Sequence, residues 1–257
     1  MTFADGNILA SRRVPVTTII INRAEVKNAL DAKTARGLAG AFQMADADEE
    51  VRAIVVAGTG GCFCSGADLG ELAASGGYLP WAGGDGPLAV SLSKPVIAAI
   101  EGPASAEGLG VALFCDMRIV DETAAFSAAS RLWGGPTGDG TTVRLPRLIG
   151  VGRAIDMVIT GRTVAADEAL AMGLANRKAP RGATRTEAEK LAHQIAELPQ
   201  TALLADRRSL YDGLDRDGAA AIAHEVALAR AAYGPEAQAG VTRHVQRTSG
   251  NVRLLRV

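Results

Sequence analysis

Two rhythms of apolar and polar positions run along this chain, and the places where one gives way to the other mark its elements. Val14–Asn22 is apolar and β-branched without helical spacing, which predicts a strand. Next, Leu38, Ala41, Phe42 and Ala45 fall on one face of a helix, and Asp31 ahead of them is placed to cap it. Short apolar runs at Val51–Ala57, Pro95–Ile100 and Met117–Val120 predict buried strands. A short buried helix is expected over Ala106–Phe114. Strands alternating with helices predict an α/β core with some parallel pairing.

Further on the helical rhythm takes over. Val151–Ile159 reads as an amphipathic helix, and Ala165–Met172 as a short one stopped by Gly173. Helices are also expected over Glu187–Glu197, Thr201–Leu210, Ala219–Tyr233 and Glu236–Gln246. The pattern divides the chain into an α/β region, 1–199, and an all-helical region, 200–257. Gly70–Ser93, rich in Gly, Ala, Pro and Ser, has neither rhythm and reads as a mobile flap or surface loop. Within it Tyr78 and Trp81 could face a pocket or the core.

Composition narrows the function classes. A chain of 257 residues with 48% hydrophobic residues affords a sizeable core. Only 4% are aromatic, so Ala, Val, Leu and Ile must fill it. A net charge of −1 with no basic run argues against nucleic-acid or membrane-surface binding. Met1–Ala10 carries charge, and nowhere is there an apolar run of the ~18 residues that span a bilayer. No leader or membrane anchor is expected. Cys62, Cys64 and Cys115 fit a reducing cytoplasm better than a disulfide framework. Cys62 and Cys64 form Cys-x-Cys with no further ligand cluster, so no metal is expected. His193, His224 and His244 lie in the helical tail without metal-like spacing and read as surface or packing residues.

The candidate chemistry lies in two glycine-bearing segments that each follow a strand. Ser65–Ala67 offers backbone N–H groups with little side-chain bulk, and Ala106–Gly108 offers a second set where a helix begins. Two such donors can converge on one oxygen and stabilise it as it becomes negative, as in a thioester enolate. A purely structural use of such turns is the plain alternative.

Several ordered motifs make the chain resemble the crotonase, or enoyl-CoA hydratase/isomerase, superfamily. They are Ile19–Leu30, Phe63–Leu69, Lys94–Gly102, Cys115–Ile119, Arg144–Gly150, Thr160–Arg162 and Glu168–Asn176. The resemblance implies an α/β fold of repeated ββα units followed by a C-terminal helical trimerisation region. It implies a homotrimer or a dimer of trimers. It implies a CoA thioester as substrate or ligand, with no separate cofactor. The oxyanion hole would use the N–H groups of Ala67 and Glu107, and backbone near Val26, Lys27, Ala67, Asp68 and Leu69 would line the ligand path. Arg207 and Arg208 resemble basic residues placed near CoA phosphates, or form a solvated helix face.

Two departures from the family pattern weigh on the reaction. Hydration needs a base for water and an acid for the α-carbon, roles that two carboxylates fill in the family's hydratases. Matched motif by motif, those positions hold Gly110 and Ser130 here, and neither supplies a carboxylate. Glu107 stands where the family has glycine. Read mildly it is an acid in a first helical turn, and read sharply it is a carboxylate moved into the site. Asp139, in Gly138–Gly140, is either a turn-former or a second relocated acid. Asp68 and Glu71 read as structural or solvent-facing, and Asp116 as a hydrogen-bonding residue at a helix-to-strand junction. The expected function is therefore acyl-CoA binding with non-standard chemistry such as double-bond isomerisation. The alternative is a non-catalytic acyl-CoA binder.

Overall fold

The computed structural model describes residues 1–75, 81–84, 86–89 and 91–249. Its strands are β1 (Thr2–Phe3), β2 (Ile8–Arg13), β3 (Val16–Ile21), β4 (Ala53–Gly58), β5 (Val96–Ile100), β6 (Pro103–Ser105), β7 (Met117–Val120), β8 (Ala125–Ser127), β9 (Thr163–Ala165) and β10 (Arg177–Lys178). Its α-helices are α1 (Ala32–Ala47), α2 (Leu69–Ser75), α3 (Glu107–Phe114), α4 (Thr141–Ile149), α5 (Val151–Thr160), α6 (Ala166–Ala171), α7 (Thr184–Ala196), α8 (Gln200–Gly213), α9 (Gly218–Ala232) and α10 (Pro235–Ser249). Two compact units result, Met1–Ile195 and Ala196–Val257.

The first unit is built on a seven-stranded sheet of order β1-β2-β3-β4-β5-β7-β10. β1, β2 and β3 pair antiparallel, and the strands from β3 onward pair parallel. The central strands are buried on both faces, as parallel strands covered by helices must be. In β4, Ile54 and Val56 join Leu38 and Phe42 of α1 in the main core. Val55 and Ala57 point the other way, toward Ala188, Leu191 and Ala192 of α7. Asp31 caps α1, its carboxylate accepting the Thr34 N–H at 2.7 Å. Arg118 lies buried at the end of α3 and donates to the carbonyls of Ala112, Cys115 and Leu174. Asp116 accepts the Val96 N–H at 2.7 Å and ties α3 to the sheet.

Three features differ from the sequence pattern. The β2 strand pairs with β3, yet only Ile8 and Ala10 of it are buried, too few to show as alternation. A second sheet, β6-β8-β9, consists of three-residue strands below the length at which periodicity can be read. The start of the Gly70–Ser93 segment is helical, because Asp68 accepts the Gly70 and Glu71 N–H groups that open α2. Further along, Leu88 N–H donates to the Trp81 carbonyl and Gly86 N–H to the Gly83 carbonyl, each at 3.0 Å. Trp81 is buried and touches both core and cavity, whereas Tyr78 lies outside the described residues.

The second unit is helical. Glu236 of α10 accepts the Gln200 and Thr201 N–H groups at the start of α8. His224 lies 2.7 Å from Asp212, which also pairs with Arg208, and Arg207 stacks over Tyr211. Leu210, Leu214, Ile222 and Val226 are exposed. Among the described residues no helix is long and apolar enough to cross a membrane.

Candidate active site

The site begins where β4 runs into the loop ahead of α2. Asn28, buried and at φ 56°, gathers this loop: its amide donates to the Thr59 and Cys62 carbonyls and accepts the Arg23 N–H. Leu30 N–H donates to Gly66 O, and Asp68 N–H donates back to Leu30 O. Ala67 is thereby fixed beside the start of α1. Gly66 sits at φ 108°, and a Cβ there would lie 2.8 Å from Ala106 Cβ and 2.9 Å from Glu107 Oε2. Glycine is required at this position both for its backbone and for the room it leaves.

The facing segment is the turn from β6 into α3. Ala106 holds φ 49° and ψ −122°, a costly conformation for a residue with a Cβ, and its N–H is anchored to Ser127 O at 2.9 Å. This strained step opens α3 at Glu107, whose own N–H and the Ala67 N–H reach one point.

That point is occupied by the Glu107 side chain. Its Oε2 accepts the Ala67 N–H at 3.0 Å, and the residue is 3% exposed. Glu107 opens a helix as the mild reading has it, but its carboxylate turns inward into the site. Burial pushes this carboxyl above the usual carboxylate range, and the nearby charge of Asp139 adds to the rise. The N–H groups of Ala67 and of Glu107 itself pull in the opposite direction.

Asp139 is the second buried acid of the site, 2% exposed at the end of the loop before α4. Its Oδ1 accepts the Thr141 N–H at 2.9 Å. Burial raises its pKa as well, against the pull of Thr141 and the charge of Arg144. A Cβ built on Gly110 would fall 2.5 Å from Asp139 Oδ2 and 2.6 Å from its Cγ. The Asp139 carboxyl therefore fills the volume that a side chain from position 110 would enter. Ser130 is buried in the 3-10 turn Ala129–Trp133, where its carbonyl accepts the Gly135 N–H. It brings no carboxylate to the pair.

A cavity of ≈ 680 Å³ opens beside Ala67 and Glu107, and Asp139, Gly110 and Ser130 lie outside its wall. Leu30, Ala35, Ala67, Leu72, Trp81 and Glu107 are among the residues that line it. Ala67 and Asp68 line the cavity, whereas Val26 and Leu69 are exposed and, with Lys27, lie outside its wall. The acids at the rim act as caps: Asp68 and Asp31 each lie 3.2 Å from Arg23, and Glu71 accepts the Ala32 N–H that opens α1. Cys64 and Cys115 are buried, with thiols pushed up to about 12 chiefly by that burial, and Cys62 is raised for the same reason. Among the described residues no cluster of His, Cys, Asp or Glu is arranged to hold a metal. The three histidines fall on α7, α9 and α10.

Residues that the motifs did not single out complete the site: Asn28 and Arg23 behind Ala67, and Thr141 and Arg144 behind Asp139. Arg23 and Asn28 lie inside the Ile19–Leu30 motif and Arg144 opens the Arg144–Gly150 motif, whereas Thr141 left no sequence signal.

A sequence model of the enoyl-CoA hydratase/isomerase family matches residues 12–251. The chain is 34% identical over 217 residues to enoyl-CoA hydratase EchA19 of Mycobacterium tuberculosis, covering 79% of each chain. It is 30% identical over 226 residues to the short-chain-enoyl-CoA hydratase of Clostridium acetobutylicum, covering 86% of this chain and 87% of the other. A crystal structure of enoyl-CoA hydratase from Mycobacterium tuberculosis H37Rv matches with a TM-score of 0.87 at 30% identity, over 94% of this chain and 96% of that one.

Proposed function

The chain belongs to the enoyl-CoA hydratase/isomerase family of the crotonase superfamily, and from that premise we propose that it binds an acyl-CoA thioester and moves a proton on the acyl group. The thioester oxygen replaces the Glu107 carboxylate at the Ala67 and Glu107 N–H groups. As the α-carbon loses its proton, that oxygen takes up the negative charge of the enolate, and the two N–H groups stabilise it. The ionised Asp139 carboxylate takes the proton. In a 3-enoyl thioester it returns the same proton to the γ-carbon, and the double bond moves to the 2-position. The carboxylate is regenerated, so the cycle needs neither water nor a cofactor beyond the CoA of the substrate.

The observation that carries this reading is the Asp139 carboxyl in the side-chain volume missing at Gly110. One carboxylate suffices for a proton shuttle between carbons, whereas hydration calls for an acid and a base together. A second reading, non-catalytic binding, is favoured by Gly110 and Ser130 at the two family carboxylate positions. In either reading the exposed apolar residues of α8 and α9 suit self-association, as a trimer or dimer of trimers, and we assign the protein to the cytoplasm. Calorimetry with acyl-CoAs beside turnover on a panel of 2-enoyl- and 3-enoyl-CoAs separates the readings. Conversion of a 3-enoyl-CoA supports the shuttle, binding without turnover on any member selects the second reading, and no binding defeats both.

A further inference from the structure

The Asp139 loop does not stand alone. Ala82 N–H donates to Gly138 O at 2.8 Å, one residue ahead of Asp139. Arg144, one turn into α4, reaches back with two arms of its guanidinium. Nη1 donates to the Asp139 carbonyl at 2.9 Å, and Nη2 to the Leu88 carbonyl at 3.4 Å. The guanidinium carbon sits 5.5 Å from the centre of the Phe114 ring, which packs in turn on Phe42. A Cβ on Gly140 would fall 2.1 Å from Arg144 Nη1, so the arginine occupies space that only a glycine leaves open. Trp81 and Pro87, from the segment so tied, line the cavity beside Ala67 and Glu107.

We propose that Arg144 is a positioning residue that joins the cavity wall at Trp81 and Pro87, through Leu88, to the Asp139 loop, so that the group filling the cavity sets the aim of the Asp139 carboxyl. The proposal rests on the acyl-CoA reading above. An acyl chain that presses on Trp81 or Pro87 shifts the Leu88 and Ala82 ends of the network. Arg144 passes that shift to the peptide that carries Asp139. A planar fork suits this task, since it holds two carbonyls on separate segments at once, which a single ammonium does not. The charged groups that face Asp139 are Glu107 from α3 and Arg144 from α4. Removing the Arg144 charge therefore removes a pull that holds the Asp139 carboxyl down.

Arg144→Gln and Arg144→Lys test this, with Asp139→Asn as the reference for the carboxyl signal in carbon-13 NMR. In Arg144→Gln the Asp139 titration moves to higher pH and kcat for a 3-enoyl-CoA falls about 10²-fold, the scale of a small misplacement, while acyl-CoA affinity by calorimetry holds. Arg144→Lys brings the titration back but not kcat. A kcat that falls only with the folded fraction, with the titration in place, overturns the proposal. Full rescue of both readouts by lysine overturns the fork. If the wild type turns over no thioester, the isomerase reading fails separately. The NMR titration, taken with and without bound acyl-CoA, then decides alone: an Asp139 signal that ignores Arg144→Gln overturns the proposal.

Discussion

The two walls of the site use the same kind of side chain in opposite ways. On the Ala67 wall every carboxylate has a pinned partner. Asp31 caps α1 and pairs with Arg23, Asp68 caps α2 and shares that arginine, and Glu71 caps α1 from outside. Burial pushes Asp31 up, yet the Thr34 N–H and the Arg23 charge outweigh it, and its pKa lies below the ordinary value. On the α3 wall burial pushes both Glu107 and Asp139 up, and the Asp139 charge adds to the rise at Glu107. A carboxyl pushed up by burial takes and gives a proton more readily than one held ionised by a cation. The difference assigns scaffolding to the first wall and chemistry to the second.

Asp139→Asn breaks the contrast most strongly. It should cost about 10²–10⁴-fold in isomerisation of a 3-enoyl-CoA, the usual worth of a proton-transfer group, while calorimetry still shows acyl-CoA binding. The wild-type rate should climb with pH through the raised Asp139 pKa, because the base must be ionised. A pH–rate profile with its acid limb at an ordinary carboxylate value would contradict this.

Next in size is Gly110→Glu. Alone it drives a side chain into Asp139 and should lower stability by about 1–3 kcal/mol, as overpacking does. Combined with Asp139→Gly the penalty should shrink, because the carboxylate has moved back onto the helix. Equal denaturation midpoints for the single and double variants would show that the two positions do not share one volume.

Asp31→Ala sharpens the other side of the comparison. Losing this cap should cost about 0.5–2 kcal/mol in urea unfolding and leave the acid limb of the pH–rate profile where it was. The smallest effects concern pH and the buried pair. Glu107 competes with the thioester oxygen for the Ala67 N–H most strongly when ionised. Acyl-CoA affinity should therefore weaken as pH rises through its raised pKa, and Glu107→Gln should flatten that dependence in calorimetry. Linkage fixes the sign for stability. A carboxyl with a raised folded-state pKa contributes stability at low pH that is lost as pH rises through that value. Asp139→Asn should accordingly raise Tm at pH 8 and make no difference at pH 3.

Much of the fold was legible because its signals are local. Asp31 with Leu38, Ala41, Phe42 and Ala45 marked α1, and the runs ending at Ala57 and Ile100 marked strands buried on both faces. The β6-β8-β9 sheet was not legible, since three residues leave no period to read. The site divides in the same way. The Ser65–Ala67 and Ala106–Gly108 segments follow from a strand end and a helix start, and the family resemblance picks Ala67 and Glu107 within them. That Asp139 fills the space left by Gly110 joins positions 29 apart through tertiary packing alone. The direction of the Glu107 side chain likewise depends on the strained Ala106 and the bare Gly66. Neither leaves a trace in spacing.

A crystal structure with a bound, unreactive acyl-CoA tests the relocated pair most directly. The account predicts the thioester oxygen on the Ala67 and Glu107 N–H groups, the Glu107 carboxylate displaced, and an Asp139 oxygen about 3–3.5 Å from the α-carbon, the range of a reactive approach. Glu107 still seated on Ala67, or Asp139 turned away from the acyl group, would contradict it.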